Sequence, residues 1–172
     1  VIPRPPTSAD APAWFDFLVS QQATAYTGIV PDDFADRQGG QRDDLLAELE
    51  GKFAEPGTAR RIVAEVDGAI VGLASIVDGP ASWEVALGYV PSPAPRELAR
   101  LYVSPTFHGT GLADELLAEI DRGEDLYLWL IDGNERAHRF YQRRGFVDCD
   151  EAFRAGPDWG NVSMHRMRRV AA

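Results

Sequence analysis

One cysteine, Cys149, stands among 172 residues. A single thiol excludes an intramolecular disulfide and any multi-cysteine zinc site. A chain without cross-links suits a reducing compartment, so a cytoplasmic location is expected. Lysine is nearly absent as well, Lys52 being the single one among 17 basic residues. Those 17 face 27 Asp and Glu, for a net charge of −10. The broad basic surface on which nucleic-acid affinity depends is therefore missing. Neither nucleic acid nor a membrane is expected as a partner. No apolar run approaches the roughly 20 residues that cross a bilayer, and the N-terminus lacks the charged-then-apolar order of a signal peptide. The chain starts at Val1 rather than Met, which leaves room for a short preceding piece. Cationic small molecules or basic peptide ends suit the acidic field better than anionic polymers.

With 45% hydrophobic and 26% charged residues the composition is that of a folded globular chain, and the length predicts one domain over 1–172. A proline-rich opening leads into a helix from about Asp10, with Trp14, Phe17 and Leu18 at helical spacing. Shorter helices are expected over 31–37 and 43–53, the latter ended by Pro56 and Gly57. From Arg61 the period changes. Asp67-Gly68 between two runs rich in β-branched residues is a strong hairpin signal. A short strand or long loop is expected over 83–90, then a strand over 97–103, a loop, and a helix over 112–122 stopped by Gly123. The apolar run 126–131 reads as a strand buried on both faces. A helix capped by Asn134 and ended by Gly145 follows, then two strands over 146–153 and 162–168. Helices, hairpin, then alternating strands and helices describe a mixed α+β sheet.

The segment Leu101-Tyr102-Val103-Ser104-Pro105-Thr106-Phe107-His108-Gly109-Thr110-Gly111-Leu112-Ala113 runs from an apolar strand through a glycine loop into a helix. A helix's first turn has backbone N–H groups without intrahelical partners, and its positive end favours phosphate. Gly109 and Gly111 permit close approach, and Ala113 adds no bulk. An ordinary strand-to-helix turn also carries Gly-x-Gly. Asp114 stands where the third glycine of a dinucleotide fingerprint belongs, and no Gly-Lys-Ser/Thr follows for a P-loop.

His108-Gly-Thr-Gly111-Leu-Ala113 resembles the R/Q-x-x-G-x-G/A acetyl-CoA motif of the GCN5-related N-acetyltransferase (GNAT) family, with His108 departing from the usual Arg or Gln. Asn134-Glu-Arg-Ala137-His-Arg-Phe-Tyr141-Gln-Arg-Arg-Gly145-Phe146 is similar to that family's N-x-x-A-x-x-F-Y-x-x-x-G-F signature. Together the motifs span about 97–146. The resemblance implies a GNAT-like acyl-CoA acyltransferase fold, a central mixed, mostly antiparallel sheet flanked by helices. It implies acetyl-CoA as donor substrate, CoA as product, and an amine as acceptor. The cofactor would meet Leu101, Tyr102 and Val103, the loop His108, Gly109, Thr110, Gly111, Leu112 and Ala113, then Asn134, Ala137 and Tyr141. Asn134 would lie by the pantetheine arm and Tyr141 at the thioester sulfur.

Acetyl transfer to an amine needs a neutral nucleophile, a stabilised oxyanion and a protonated leaving thiolate. A phenol with a pKa of about 10 keeps its proton at neutral pH, so Tyr141 suits the general acid. A backbone N–H near Tyr102 or Val103 is the family-like oxyanion donor. The resemblance implies that Glu97 occupies a position where relatives often carry a carboxylate base acting through water, with Glu84 a second choice. An exposed strand-end glutamate would look the same. His138 and Cys149 read as packing or surface residues, His165 in the last strand suits either a substrate role or surface exposure, and no metal is expected. For the acceptor, Asp32, Asp33, Trp83, Asp150, Glu151, Asp158 and Trp159 offer an acidic, aromatic surface. A catalytically silent acyl-CoA-binding sensor or subunit, and an acyltransferase for longer acyl groups or oxygen acceptors, share the same motifs. Edge strands offer a route to a homodimer.

Overall fold

The computed structural model describes residues 1–149 and 152–171. Its elements are α1 (Ala11–Ala25), α2 (Phe34–Gly39), α3 (Arg42–Ala54), β1 (Arg60–Val66), β2 (Ala69–Asp78), α4 (Ser82–Ala86) and β3 (Arg96–Val103), followed by α5 (Leu112–Ile120), β4 (Leu126–Ile131), α6 (Glu135–Gln142), β5 (Val147–Asp148), β6 (Phe153–Arg154) and β7 (Ser163–Arg169). The strands form one sheet in the order β1-β2-β3-β4-β7-β5, with β6 also on β7. Every pairing is antiparallel except β3 with β4. This is the mixed, mostly antiparallel α+β sheet expected from the sequence. No helix among the described residues is long and apolar enough to cross a membrane.

Asp67 and Gly68 both adopt positive φ, 50° and 79°, as a type I′ hairpin turn requires. The turn sets the register Val66↔Ala69, and strand alternation then sorts the side chains by face. Ile62, Ala64, Ala74 and Ile76 face α5, packing with Leu112, Leu116, Leu117 and Ile120. Val63 and Leu73 face the opposite side, where Ala11 and Trp14 of α1 and Phe53 of α3 cover them. At the end of α1, Tyr26 joins Phe34, Ile131 and Met164 in a third cluster.

The feature that makes room for a site is the junction of β3 and β4. Their parallel ladder holds two pairs, Arg96↔Leu126 and Glu97↔Tyr127. Just beyond, the register with β2 shifts from Ile76↔Leu98 to Ser75↔Arg100, so Ala99 is an extra residue. A bulge bends its strand and increases local twist. From there β3 stays with β2 and β4 stays with β7, and the two halves of the sheet part.

Several boundaries differ from the sequence reading. Residues 83–90 contain no strand; a short helix, α4, lies there because Glu84 is drawn inward by tertiary hydrogen bonds. Asp10 does not cap α1 with its side chain. Its carboxylate accepts from the Thr7 backbone N–H at 2.7 Å and pairs with Arg4 at 2.8 Å. Helix α5 ends at Ile120 with an extended Asp121, three residues before Gly123. The strand expected over 146–153 is two short pieces, β5 and β6.

Candidate active site

Between the parted strands lies an open cavity of about 760 Å³. One wall is β3 from Leu98 to Val103, the other holds Trp129 and Leu130 of β4, and α1 contributes Gln21 and Thr24, with Tyr26 just past its end. The far end is built by the loop around Gly109 and Gly111, the start of α5, and α6.

The loop owes its shape to backbone conformation. Gly109 and Gly111 have φ of 79° and 92°, in the left-handed region that disfavours side chains. Nothing lies within 4 Å of where a Cβ would stand on either, so the space in front of them is open. Thr110 braces the loop, its hydroxyl donating to the Phe107 carbonyl at 2.8 Å and accepting from the Leu112 N–H at 3.4 Å. The Asp114 and Glu115 N–H groups return to the Gly111 carbonyl. Those of Gly109, Gly111 and Ala113 make no hydrogen bond among the described residues. Three free donors at the positive end of a helix form an anion cradle.

Charge around this cradle runs against the whole chain. Arg100, Arg136, Arg143 and Arg144 line the cavity, and Asp114 is the one acid among the lining residues. His108 Nε2 donates to the Val103 carbonyl at 3.0 Å, and Nδ1 accepts from the Arg136 guanidinium. Partial burial and the Arg136 charge hold its pKa below the ordinary histidine value. Arg144 pairs with Asp114 and lies 3.3 Å from the centroid of the Phe140 ring.

Helix α6 lines the cavity with Arg136, Ala137, Phe140 and Tyr141. Asn134 caps it by accepting from the Ala137 N–H at 3.2 Å, which fixes where the first turn points. Ala137 and Tyr141, one turn apart, then share a face and pack against the α5-side core. Burial pushes the Tyr141 phenol well up from its ordinary pKa, and the neighbouring Tyr102 adds to the shift. The Tyr102 hydroxyl itself lies 2.9 Å from that of Tyr26.

Beneath the cavity floor two carboxylates are buried. Glu84 is fully enclosed and accepts from the Tyr127 hydroxyl at 2.7 Å, Trp129 Nε1 at 3.0 Å and the Ala81 N–H at 2.6 Å. Glu97 is 5% exposed. Burial raises its pKa to about 7, with Arg100 lowering it and the Glu84 charge raising it.

Of the residues singled out in the sequence, Leu101, Tyr102, Val103, His108, Gly109, Gly111, Leu112, Ala113, Asn134, Ala137 and Tyr141 all line this cavity. Thr110 does not, since its side chain is turned to Phe107. Glu97 lies one residue below the lining of β3 rather than in it. The acceptor surface is not assembled as expected. Trp159 is packed on Phe34 and Tyr26, Trp83 on Trp129, and Asp33 pairs with Arg37 on the surface. Asp150 and Glu151 lie outside the described residues. The sequence reading missed the arginines and Trp129; Arg136 and Arg143 stand two helical turns apart beside the Ala137–Tyr141 face, a signal that was available.

Comparison with known proteins decides the family. The family profile described as Acetyltransferase (GNAT) domain matches residues 58–148. The chain belongs to the GNAT family. Uncharacterized N-acetyltransferases of Mycobacterium bovis and Mycobacterium tuberculosis are 34% identical to it over 116 residues, a match covering 61% of this chain and 66% of theirs, just under two thirds. The PaiA N-acetyltransferase of Thermoplasma acidophilum, solved with coenzyme A, superposes with a TM-score of 0.70 at 15% identity, covering 98% of both chains. The ribosomal-protein-alanine N-acetyltransferase of Brucella melitensis gives a TM-score of 0.65 at 22% identity over 99% of both. YncA of Salmonella typhimurium, a putative acetyltransferase solved with acetyl-CoA, gives 0.66 at 18% identity, covering 99% of this chain and 94% of that one. At these identities the likeness establishes the GNAT fold.

Proposed function

We propose that this GNAT chain is an acetyl-CoA-dependent N-acetyltransferase that moves an acetyl group directly onto a primary amine of a small molecule or peptide. The observation carrying this is the cradle: three free N–H donors of Gly109, Gly111 and Ala113, ringed by arginines, at one end of a cleft whose middle holds Tyr141. Such a cradle suits a pyrophosphate, and the cleft between β3 and α6 suits an extended pantetheine arm ending near Tyr141. The two relatives solved with coenzyme A and acetyl-CoA share the fold.

In this mechanism the amine nitrogen attacks the thioester carbonyl carbon, and the charge developing on oxygen is met by a backbone N–H of β3 near Tyr102 or Val103. The carbon–sulfur bond then breaks. Tyr141, kept protonated by burial, gives its phenolic proton to the departing sulfur and recovers one from solvent. The proton shed by the amine passes to Glu97. Because Glu97 sits below the cavity lining, that transfer runs through a water. A carboxylate with a pKa of about 7 is well matched to it, being largely ionised at slightly alkaline pH yet basic enough to accept.

The test is steady-state release of CoA thiol from acetyl-CoA with a panel of amines. Turnover with at least one primary amine, lost in Tyr141→Phe with acetyl-CoA binding retained, supports the proposal. Tight acetyl-CoA binding with no turnover on any amine would favour a silent acyl-CoA-binding module instead.

A further inference from the structure

Away from the cleft, one side-chain cluster has no part in acetyl transfer. His138 lies on α6 beside the Ala137–Tyr141 face, against Asp148 of β5 and His165 of β7. His138 Nε2 lies 2.9 and 3.0 Å from the two Asp148 oxygens, and His165 Nε2 lies 3.0 Å from Asp148 Oδ1. The two rings are 5.8 Å apart and nearly perpendicular. Among the described residues these three form the one group whose ligand atoms all lie within 4.8 Å of one another.

A further layer holds the group in place. His165 Nδ1 is 2.5 Å from Asp132 Oδ1, at the end of β4. Asp132 in turn receives the Ser163 hydroxyl on its other oxygen, and its backbone N–H donates to the Ser163 carbonyl at 2.9 Å. A carboxylate on Nδ1 fixes the histidine tautomer with its proton there, which leaves Nε2 as a lone pair. That lone pair points at a carboxylate oxygen. A neutral imidazole cannot satisfy this contact; only a second proton or a cation between the two atoms does so.

We propose that His138, His165 and Asp148 bind one divalent transition-metal ion of the zinc class, with Asp132 orienting His165 from behind. Two imidazole nitrogens and one carboxylate suit a borderline ion better than magnesium or calcium, which prefer oxygen. The spacing is close to what such an ion needs. Tetrahedral ligands at about 2.0 Å from zinc stand about 3.3 Å apart; here the two histidine nitrogens lie 2.9 and 3.0 Å from Asp148 Oδ1, with all three ligand atoms within 4.8 Å of one another. Three protein ligands leave a fourth position, open to solvent on the exposed Asp148 side. Bound there, the ion ties α6, and with it the Tyr141 face, to β5 and β7 at the sheet's edge. It takes no part in the chemistry of the cleft, so this proposal stands independently of the acetyltransferase one.

The test uses the untagged full chain, stripped with a chelator and titrated with Zn²⁺ by calorimetry, and with Co²⁺ by visible absorption. The expected result is one equivalent bound, with ligand-field bands of a four-coordinate Co²⁺. His138→Ala and His165→Ala should each weaken binding at least about tenfold, and Asp132→Asn, which removes no ligand, by about 10–100-fold. His108→Ala, the remaining histidine of the three, should leave it unchanged. Should an alanine variant fold poorly by circular dichroism, Asp148→Asn on the exposed side chain serves in its place. No saturable binding, or binding unchanged in the His138 and His165 variants, would overturn the proposal and leave a proton-bridged ion cluster.

Discussion

Glu97 and Tyr127 face each other as the last pair of the parallel ladder between β3 and β4. Both belong to the buried group that includes Glu84, whose carboxylate holds the Tyr127 hydroxyl at 2.7 Å. The point where the sheet opens is therefore also where its buried acids collect. The bulge at Ala99, where β3 and β4 part, lies two residues past Glu97.

A carboxylate with its pKa at about 7 makes a pH prediction. With Glu97 as base, kcat/KM rises with pH through about 7, and Glu97→Gln loses that inflection. A variant whose profile keeps the inflection removes Glu97 from the role.

The same shift has a sign for stability. A carboxyl whose folded pKa lies above its unfolded value favours folding while protonated, and that contribution is lost as pH rises from 4.5 through about 7. Two to three pKa steps correspond to about 3 kcal/mol. Glu97→Gln, neutral at every pH, should thus be more stable than the parent at pH 8 and close to it below pH 5, as denaturant midpoints at the two pH values would read out.

Glu84→Gln offers a linked test. The amide keeps one acceptor oxygen but sets an N–H₂ group against a buried donor, at a cost of about 1–3 kcal/mol. It also removes a negative charge that raises the Glu97 pKa. The melting temperature should fall, and the kinetic pKa should move below about 7. A lower melting temperature with an unmoved kinetic pKa would separate the two carboxylates.

Tyr141→Phe keeps the ring and removes the proton. General acids contribute about 10²–10⁴-fold, so kcat should fall within that range while the acetyl-CoA dissociation constant changes little. An unchanged kcat dismisses Tyr141 as the acid.

Much of this was legible in the chain. Asp67-Gly68 announces its hairpin because a two-residue turn with positive φ accepts few other pairs, and the apolar run Leu126–Ile131 announces a strand because both its faces are covered. The cradle was legible for the same local reason, Gly109 and Gly111 being where backbone must approach a ligand. Helix α4 was not. Its five residues are held by Glu84 reaching Tyr127 and Trp129, partners more than 40 positions away that no local period reveals. Nor was the burial that sets the Glu97 pKa, which needs the sheet to be assembled. The grouping of His138, Asp148 and His165 comes from three elements and is visible only once β5 and β7 are paired.

The most direct test of the central claim is calorimetric titration with acetyl-CoA of the parent chain and of Gly111→Arg, which sets a long side chain at a φ of 92° into the open space of the cradle. Saturable one-to-one binding by the parent, abolished in a variant that remains folded, is the predicted result. Absence of binding by the parent, or equal binding by both, would contradict the assignment of this cleft to acetyl-CoA.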